Sequence, residues 1–293
     1  MRRRRVIDRQ RNAEAAAIRE DPHVQFHLDL VKANTTPSEV TLRVAPVATR
    51  AYVKALDDNR SIQTLDLCRS ELADDVGIEL GKAMARNGSI KKLDLDFNHF
   101  GALTAEALGK ALTDNSTLEV LSLESNPITD KDKSNLDGIR KIAEALAVNE
   151  TLLSLNLWGC GIGAEGGAIL RRGVEKNSTL LQLQLSPTDG IDVEDLRVIT
   201  ECLKENHKAA EARKEQERQQ RIAEQKEEEK RKQEEEEAKQ KQLEEEWIEA
   251  QRTKRALARR AAEEEAKKKE EEERVEREEK EKQRIAEMKR KEE

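Results

Sequence analysis

One phrase recurs five times and limits what this chain can become. Asn59, Asn87, Asn115, Asn149 and Asn177 are each followed, at +3, +6 and +8, by an aliphatic residue. The triplets are Ile62/Leu65/Leu67, Ile90/Leu93/Leu95, Leu118/Leu121/Leu123, Leu152/Leu155/Leu157 and Leu180/Leu183/Leu185. The asparagines stand 28 residues apart, stretched once to 34 between Asn115 and Asn149. Asn34, with Pro37, Val40 and Leu42 in the same register, opens a degenerate first repeat, and Asn206 falls 29 residues beyond Asn177. A period of this length marks stacked supersecondary units, none of which buries a core alone.

Each unit reads as strand, turn, helix and stop. Leu93-Asp94-Leu95-Asp96 alternates apolar with polar, the period of a half-buried strand. In Ala105–Leu112 the pair Leu108 and Leu112 shares one helical face. Each repeat asparagine is expected just past its helix, in the left-handed conformation that closes the last turn.

The phrase LxxLxLxx(N/C), with Asn98, Asn126 and Cys160 in its last position, resembles a leucine-rich repeat. A 28-residue unit with a full helix is similar to the ribonuclease-inhibitor type, shared by ribonuclease inhibitor, the Ran GTPase-activating protein and tropomodulin. The resemblance implies an α/β leucine-rich repeat solenoid of about six repeats over residues 34–206. A basic arm and capping helix precede it (1–33), and a charged helical extension follows (207–293). It also implies a binding scaffold. The repeat asparagines head N-x-S/T sequons (Asn34, Asn59, Asn87, Asn115, Asn149, Asn177), but without a secretory signal they are read as helix stops. Cys160, holding the repeat's own N/C position, is read as structural.

Residues flanking the buried leucines should line the concave sheet face. There Asp66, Asp94, Asp96, Ser122 and Glu124 form an acidic cluster, with Asn156 and Trp158 beside it. Trp is enriched at interface hot spots, so Asp66, Asp94, Asp96, Glu124, Asn156 and Trp158 are candidate partner-binding residues. No nucleophile, paired base or phosphate loop accompanies the carboxylates, so the chain is expected to be no enzyme and to need no cofactor. The stretch Lys131–Leu136 accounts for the long fourth repeat, and insertions in solenoids often lie on a binding face. His23 and His27 sit four apart without a third ligand, so no metal site is expected. Phe26, Leu28, Leu30 and Val31 should cover the open end of the first repeat.

From His207 onward there is no Pro or Gly, and 29 glutamates stand against 27 lysines and arginines. Such a segment cannot bury a core. Its Glu residues precede bases by four again and again, as in Glu228–Lys232, Glu235–Lys239, Glu273–Arg277 and Glu276–Lys280, each pair worth ~0.2–0.5 kcal/mol to a solvated helix. The sparse apolar residues share one heptad frame, with Ile222, Leu243, Ala250, Leu257 and Ile285 at d and Trp247, Ala261 and Val275 at a. Lys254, Glu264, Lys268, Glu271, Glu278 and Lys282 occupy the same seam. A long single helix or a weak coiled coil is expected, with Leu243, Trp247 and Leu257 as its docking point and a coiled-coil partner for 207–293 in the second case.

No apolar run is long enough to cross a bilayer. Met1–Arg5 lacks the apolar stretch of a secretory signal, and three scattered cysteines form no disulfide framework, so a reducing, cytoplasmic compartment is expected. The net charge of −7 argues against general nucleic-acid binding. Leucine-rich-repeat proteins with such charged helices resemble components of the ciliary and flagellar axoneme, which implies a cytoskeletal scaffold with tubulin or axonemal subunits as partners. A tropomodulin-like actin regulator is the alternative, and a Ran-type GTPase activator a more distant one.

Overall fold

The computed structural model describes residues 16, 22–129 and 135–292, with side chains through 286. Two units divide the chain, Met1–Lys214 and Glu215–Glu293. The first alternates helix and strand in strict order. α1 (Pro22–Ala33) leads to β1 (Glu39–Thr41), α2 (Pro46–Ala55), β2 (Thr64–Asp66), α3 (Asp74–Met84), β3 (Lys92–Asp94) and α4 (Ala102–Asp114). Then come β4 (Val120–Ser122), α5 (Asp137–Leu146), β5 (Ser154–Asn156), α6 (Gly163–Val174), β6 (Gln182–Gln184), a 3-10 turn (Pro187–Asp189) and α7 (Val193–Glu292). The six strands form one parallel sheet in sequence order.

Register follows the repeat. Val40, Leu65, Leu93, Leu121, Leu155 and Leu183 pair in one row across the sheet. The four inner leucines are fully buried between neighbours, whereas Val40 and Leu183, on the edge strands, are only partly covered. Leu185 is partly covered as well, so the last repeat seals its core less completely than the expected triplet implied. α4 and α5 meet closely enough to require glycine: a Cβ on Gly109 would lie 2.6 Å from the Lys141 backbone, and one on Gly138 2.5 Å from Ala105.

The repeat asparagines work differently from the expectation. Among them only Asn34 is left-handed, with φ 57°; Asn115 has φ −77° and ψ 124°. Their side chains explain the residue choice instead. Asn87 Nδ2 donates to the carbonyls of Leu56 (2.7 Å) and Asn59 (3.1 Å), and its Oδ1 accepts from the N–H groups of Ser89 (2.9 Å) and Ile90 (2.8 Å). Asn115 donates likewise to Met84 and Asn87, Asn149 to Leu112 and Asn115, and Asn177 to Leu146 and Asn149. Each asparagine thus ties the end of one helix to the next strand and to the preceding repeat, satisfying backbone groups that burial would otherwise orphan. Buried in this way, Asn59, Asn87, Asn115, Asn149 and Asn177 offer no accessible amide to a glycan. Asn206 also departs from its expected role: it lies inside α7 and donates to the Leu180 carbonyl at 2.9 Å.

A second ladder runs where the strands end. Asn98 Nδ2 reaches the Leu67 and Leu95 carbonyls, both at 2.9 Å, and Asn126 Nδ2 reaches Leu95 and Leu123. Cys160 continues it, its Sγ donating to the Leu123 carbonyl at 3.1 Å. Burial pushes that thiol up to about 12, which keeps it a protonated donor.

α1 covers the first repeat, but not with the expected set. Val24, Leu28 and Val31, spaced four and three apart, are its buried residues, and the Tyr52 hydroxyl donates to the Val24 carbonyl at 2.8 Å. Phe26 is 59% exposed because it lies on the opposite side of the helix from that stripe. The Arg2–Arg5 arm and Lys131–Ser134 of the insertion lie outside the described residues. Leu136, where that insertion ends, is buried at the head of α5.

The second unit is helix alone, the part of α7 from residue 215 onward. Among the expected pairs, Glu228–Lys232, Glu235–Lys239, Glu273–Arg277 and Glu276–Lys280 are closed at 2.6–3.1 Å. No helix among the described residues is long and apolar enough to cross a membrane.

Candidate protein-binding face

The strand register sorts the open face of the sheet into rows. Thr41, Asp66, Asp94, Ser122, Asn156 and Gln184 are paired neighbours on successive strands. Two residues further along lies a second row, Arg43, Cys68, Asp96, Glu124, Trp158 and Ser186, kept in line by backbone bonds such as Phe97 N–H to the Glu124 carbonyl and Ser125 N–H to the Trp158 carbonyl. Adjacent parallel strands lie ~4.8 Å apart, so the carboxylates crowd.

The acidic cluster is less uniform than its sequence suggests. Arg43 closes on Asp66 in a bidentate pair at 2.9 and 2.8 Å, which satisfies the carboxylate at the N-terminal end of the row. Burial alone would raise Asp66, but the hydrogen bonds from Arg43 and the Cys68 N–H outweigh it and hold its pKa below the ordinary value. Asp96 moves the other way: burial lifts it, and the charges of Asp94 and Glu124 add to the lift, despite hydrogen bonds from Ser122 Oγ (2.5 Å) and the Glu124 N–H (2.7 Å). Asn156 Nδ2 donates to Glu124 at 3.0 Å, and its own Oδ1 accepts from the Trp158 N–H. Asn156 therefore fixes both the acid and the backbone that presents the indole. Asp94, Asp96 and Glu124 are left as the negative field of the face, with Trp158 beside them, 45% exposed.

These opposite shifts predict opposite acid behaviour. The folded chain binds Asp66's proton less tightly than the unfolded chain, so Asp66 contributes stability above its unfolded value and loses it as pH falls through its lowered pKa. Asp96 binds its proton more tightly when folded, so its ionised form costs stability at neutral pH, and the cost fades as pH falls through its raised pKa. Thermal unfolding across pH should show Asp66→Asn less stable than wild type at neutral pH and matching it in acid. Asp96→Asn should melt higher than wild type at neutral pH and lose that advantage in acid.

Phe97 is not among the residues that strand alternation singles out. It is 43% exposed and left-handed at φ 53°, a conformation unfavourable for a bulky side chain. Arg69, Phe97, Ser125 and Gly159 all have positive φ. The last three immediately precede Asn98, Asn126 and Cys160 of the second ladder, and Arg69 precedes Ser70, whose Oγ donates to the Leu42 carbonyl at 3.2 Å, so the turn is imposed by the repeat. The Arg69 guanidinium lies over the Phe97 ring, 4.7 Å from its centroid. The one signal available in the sequence was rarity, since the chain has six aromatic residues in all. Phe97, the residue after Asp96, and Trp158, beside Glu124 in the second row, are thus two exposed aromatics at the strand ends.

Asp66, Cys68 and Asp94 can each bring one ligand atom within 4.8 Å of the others. The chemistry opposes a metal: Asp66 is held by Arg43, and burial together with Asp94 and Asp66 raises the Cys68 thiol above its ordinary value, disfavouring the thiolate a metal needs. On the second unit, Leu243, Trp247 and Leu257 are 63–65% exposed along one helix.

The Leucine Rich repeat family matches residues 114–132 and 148–168. No curated protein sequence matches the chain. Among solved structures, the leiomodin-1 actin-binding site 2 is similar over 66% of this chain and 94% of its own, with TM-score 0.45 and 20% identity. The tropomodulin C-terminal domain of Caenorhabditis elegans is similar over 65% and 97%, with TM-score 0.44 and 15% identity. The repeats, the ladders between them and the parallel sheet they build give this chain the fold of an α/β leucine-rich-repeat solenoid followed by one long helix.

Proposed function

We propose that the chain is a non-enzymatic protein-interaction scaffold whose sheet face docks a basic segment of a partner. The observation that supports this reading is the pairing of two exposed aromatics, Phe97 and Trp158, with the uncompensated carboxylates Asp94, Asp96 and Glu124. Aromatic anchors supply binding energy, and the carboxylates select the sign of the partner. Nothing on this face resembles a catalytic constellation: it carries no histidine, and its cysteine is held as a thiol.

The proposed setting is the cytoskeleton, with an axonemal filament first and an actin filament second. It rests on the resemblance of a leucine-rich repeat joined to a long charged helix. Co-sedimentation of the full-length chain with microtubules and with actin filaments, across a salt series, tests it. Pelleting with microtubules supports the axonemal setting, and pelleting with actin supports the tropomodulin-like alternative. Failure to pellet with either removes the filament from the proposal.

A further inference from the structure

The charges in the heptad seam of α7 are sorted by position. Continuing the frame that holds Trp247 at a and Leu243 at d, the lysines of the seam, Lys226, Lys254, Lys268 and Lys282, all fall at a. Its glutamates, Glu229, Glu236, Glu264, Glu271 and Glu278, all fall at d. The apolar members of the same stripe are exposed on an unbroken helix, Ile222 at 42%, Leu243 at 65%, Trp247 at 63% and Leu257 at 64%. On a lone helix the sorting gives only i,i+4 pairs such as Glu264–Lys268 and Glu278–Lys282, worth ~0.2–0.5 kcal/mol each, and these do not require the apolar residues to share the same stripe.

The sorting decides what this face can meet. In a parallel pair of identical helices a faces a and d faces d, so every one of those lysines and glutamates would confront its own copy. In an antiparallel pair a faces d, and no layer brings like charges together. One register also gathers the apolar residues at its centre: about Arg252, Trp247 faces Leu257 of the second copy and Leu243 faces Ala261. In that register Glu236 faces Lys268, Lys226 faces Glu278, and on the flank Glu246 faces Arg260. Taken alone, other flanking positions suit a parallel pair, with Lys239 beside Glu244 and Arg260 beside Glu265. Flanking charges stay in water, where an ion pair counts for little, whereas seam charges are shielded by the opposing helix.

We propose that residues 222–285 pair antiparallel with the same stretch of a second copy, about a two-fold axis at Arg252. The pairing is independent of the sheet face and of any partner docked there. It is isologous, as a two-fold contact must be: each Glu236–Lys268 layer occurs twice.

The test uses the full-length chain, mixed in equal parts with a nitrogen-15-labelled copy and treated with a zero-length carbodiimide crosslinker. Crosslinks of mixed isotope between Glu236 and Lys268, and between Glu278 and Lys226, are expected. Within one helix these pairs are about 50 and 80 Å apart at ~1.5 Å per residue, far beyond such a reagent. Sedimentation velocity should show a dimer that Lys268→Glu weakens about tenfold or more, by setting glutamate against Glu236, and that adding Glu236→Lys restores. Both changes lie on an exposed helix face and leave the solenoid untouched. The proposal is overturned by a chain that sediments as a monomer from micromolar to submillimolar concentration. A dimer whose mixed crosslinks join Lys268 only to Glu264 or Glu271, or a double variant that stays weak, overturns it equally.

Discussion

Replacing Asn87 with leucine should destabilise the solenoid by about 3–5 kcal/mol, although leucine has nearly the same shape. The side chain is 3% exposed. Its amide serves two carbonyls, Leu56 and Asn59, and its oxygen serves two N–H groups, Ser89 and Ile90. Leucine would leave all of these backbone groups buried without that partner, and each orphan costs ~1–3 kcal/mol before local relaxation. Urea unfolding followed by Trp158 fluorescence, in a Trp247→Phe background, reads the change from the solenoid itself. Asn34→Gly is the control: Asn34 is exposed and left-handed, and glycine keeps that backbone without strain, so the loss touches only the solvated end of the ladder. A loss below about 1 kcal/mol at Asn87 would mean that water or neighbouring groups replace the amide, and the ladder would not hold the repeats in register.

Leu95→Ala should cost about 2–5 kcal/mol, because the removed atoms leave a cavity between stacked repeats that cannot collapse from one side only. Leu95 is fully buried, and the backbone on both sides is pinned: its N–H donates to the Ser122 carbonyl at 3.0 Å and its carbonyl accepts from Asn98 and Asn126. Leu103→Ala provides the contrast, since Leu103 is 54% exposed on α4 and its truncation should stay within about 0.5 kcal/mol. The same urea experiment checks both. Equal effects at the two positions would contradict the register in which the +8 leucine of each phrase faces the core.

The leucine pattern was legible because burial on a strand alternates with a period of two and the phrase repeats it in every unit. The role of the asparagines was not. Chain position alone cannot distinguish a residue chosen for its backbone conformation from one chosen for its side chain, and Asn satisfies both descriptions. Arg43 and Asp66 are 23 residues apart and meet because β1 and β2 are in register, so their pair became visible only with the sheet. Phe97 follows the end of the alternating strand, where the period no longer says which way a side chain points. The acids, Asn156 and Trp158 were placed on one face by alternation alone, but the division between the satisfied Asp66 and the uncompensated Asp94, Asp96 and Glu124 depends on hydrogen bonds that cross repeats. Phe26 illustrates the reverse error: hydrophobicity suggested a buried residue, but the helical stripe of Val24, Leu28 and Val31 runs past it.

In the proposed function the solenoid binds protein through Trp158 and the carboxylates next to it. The most direct test is quantitative affinity capture with full-length wild type, Trp158→Ala and Glu124→Lys, each accompanied by its melting curve. Trp158 is half exposed, so removing the indole should leave the melting temperature nearly unchanged while the same set of captured proteins falls about tenfold or more in both variants. Capture that is unchanged in both variants, or that falls only together with the melting temperature, would contradict the account and make Trp158 a packing residue on a solvated sheet.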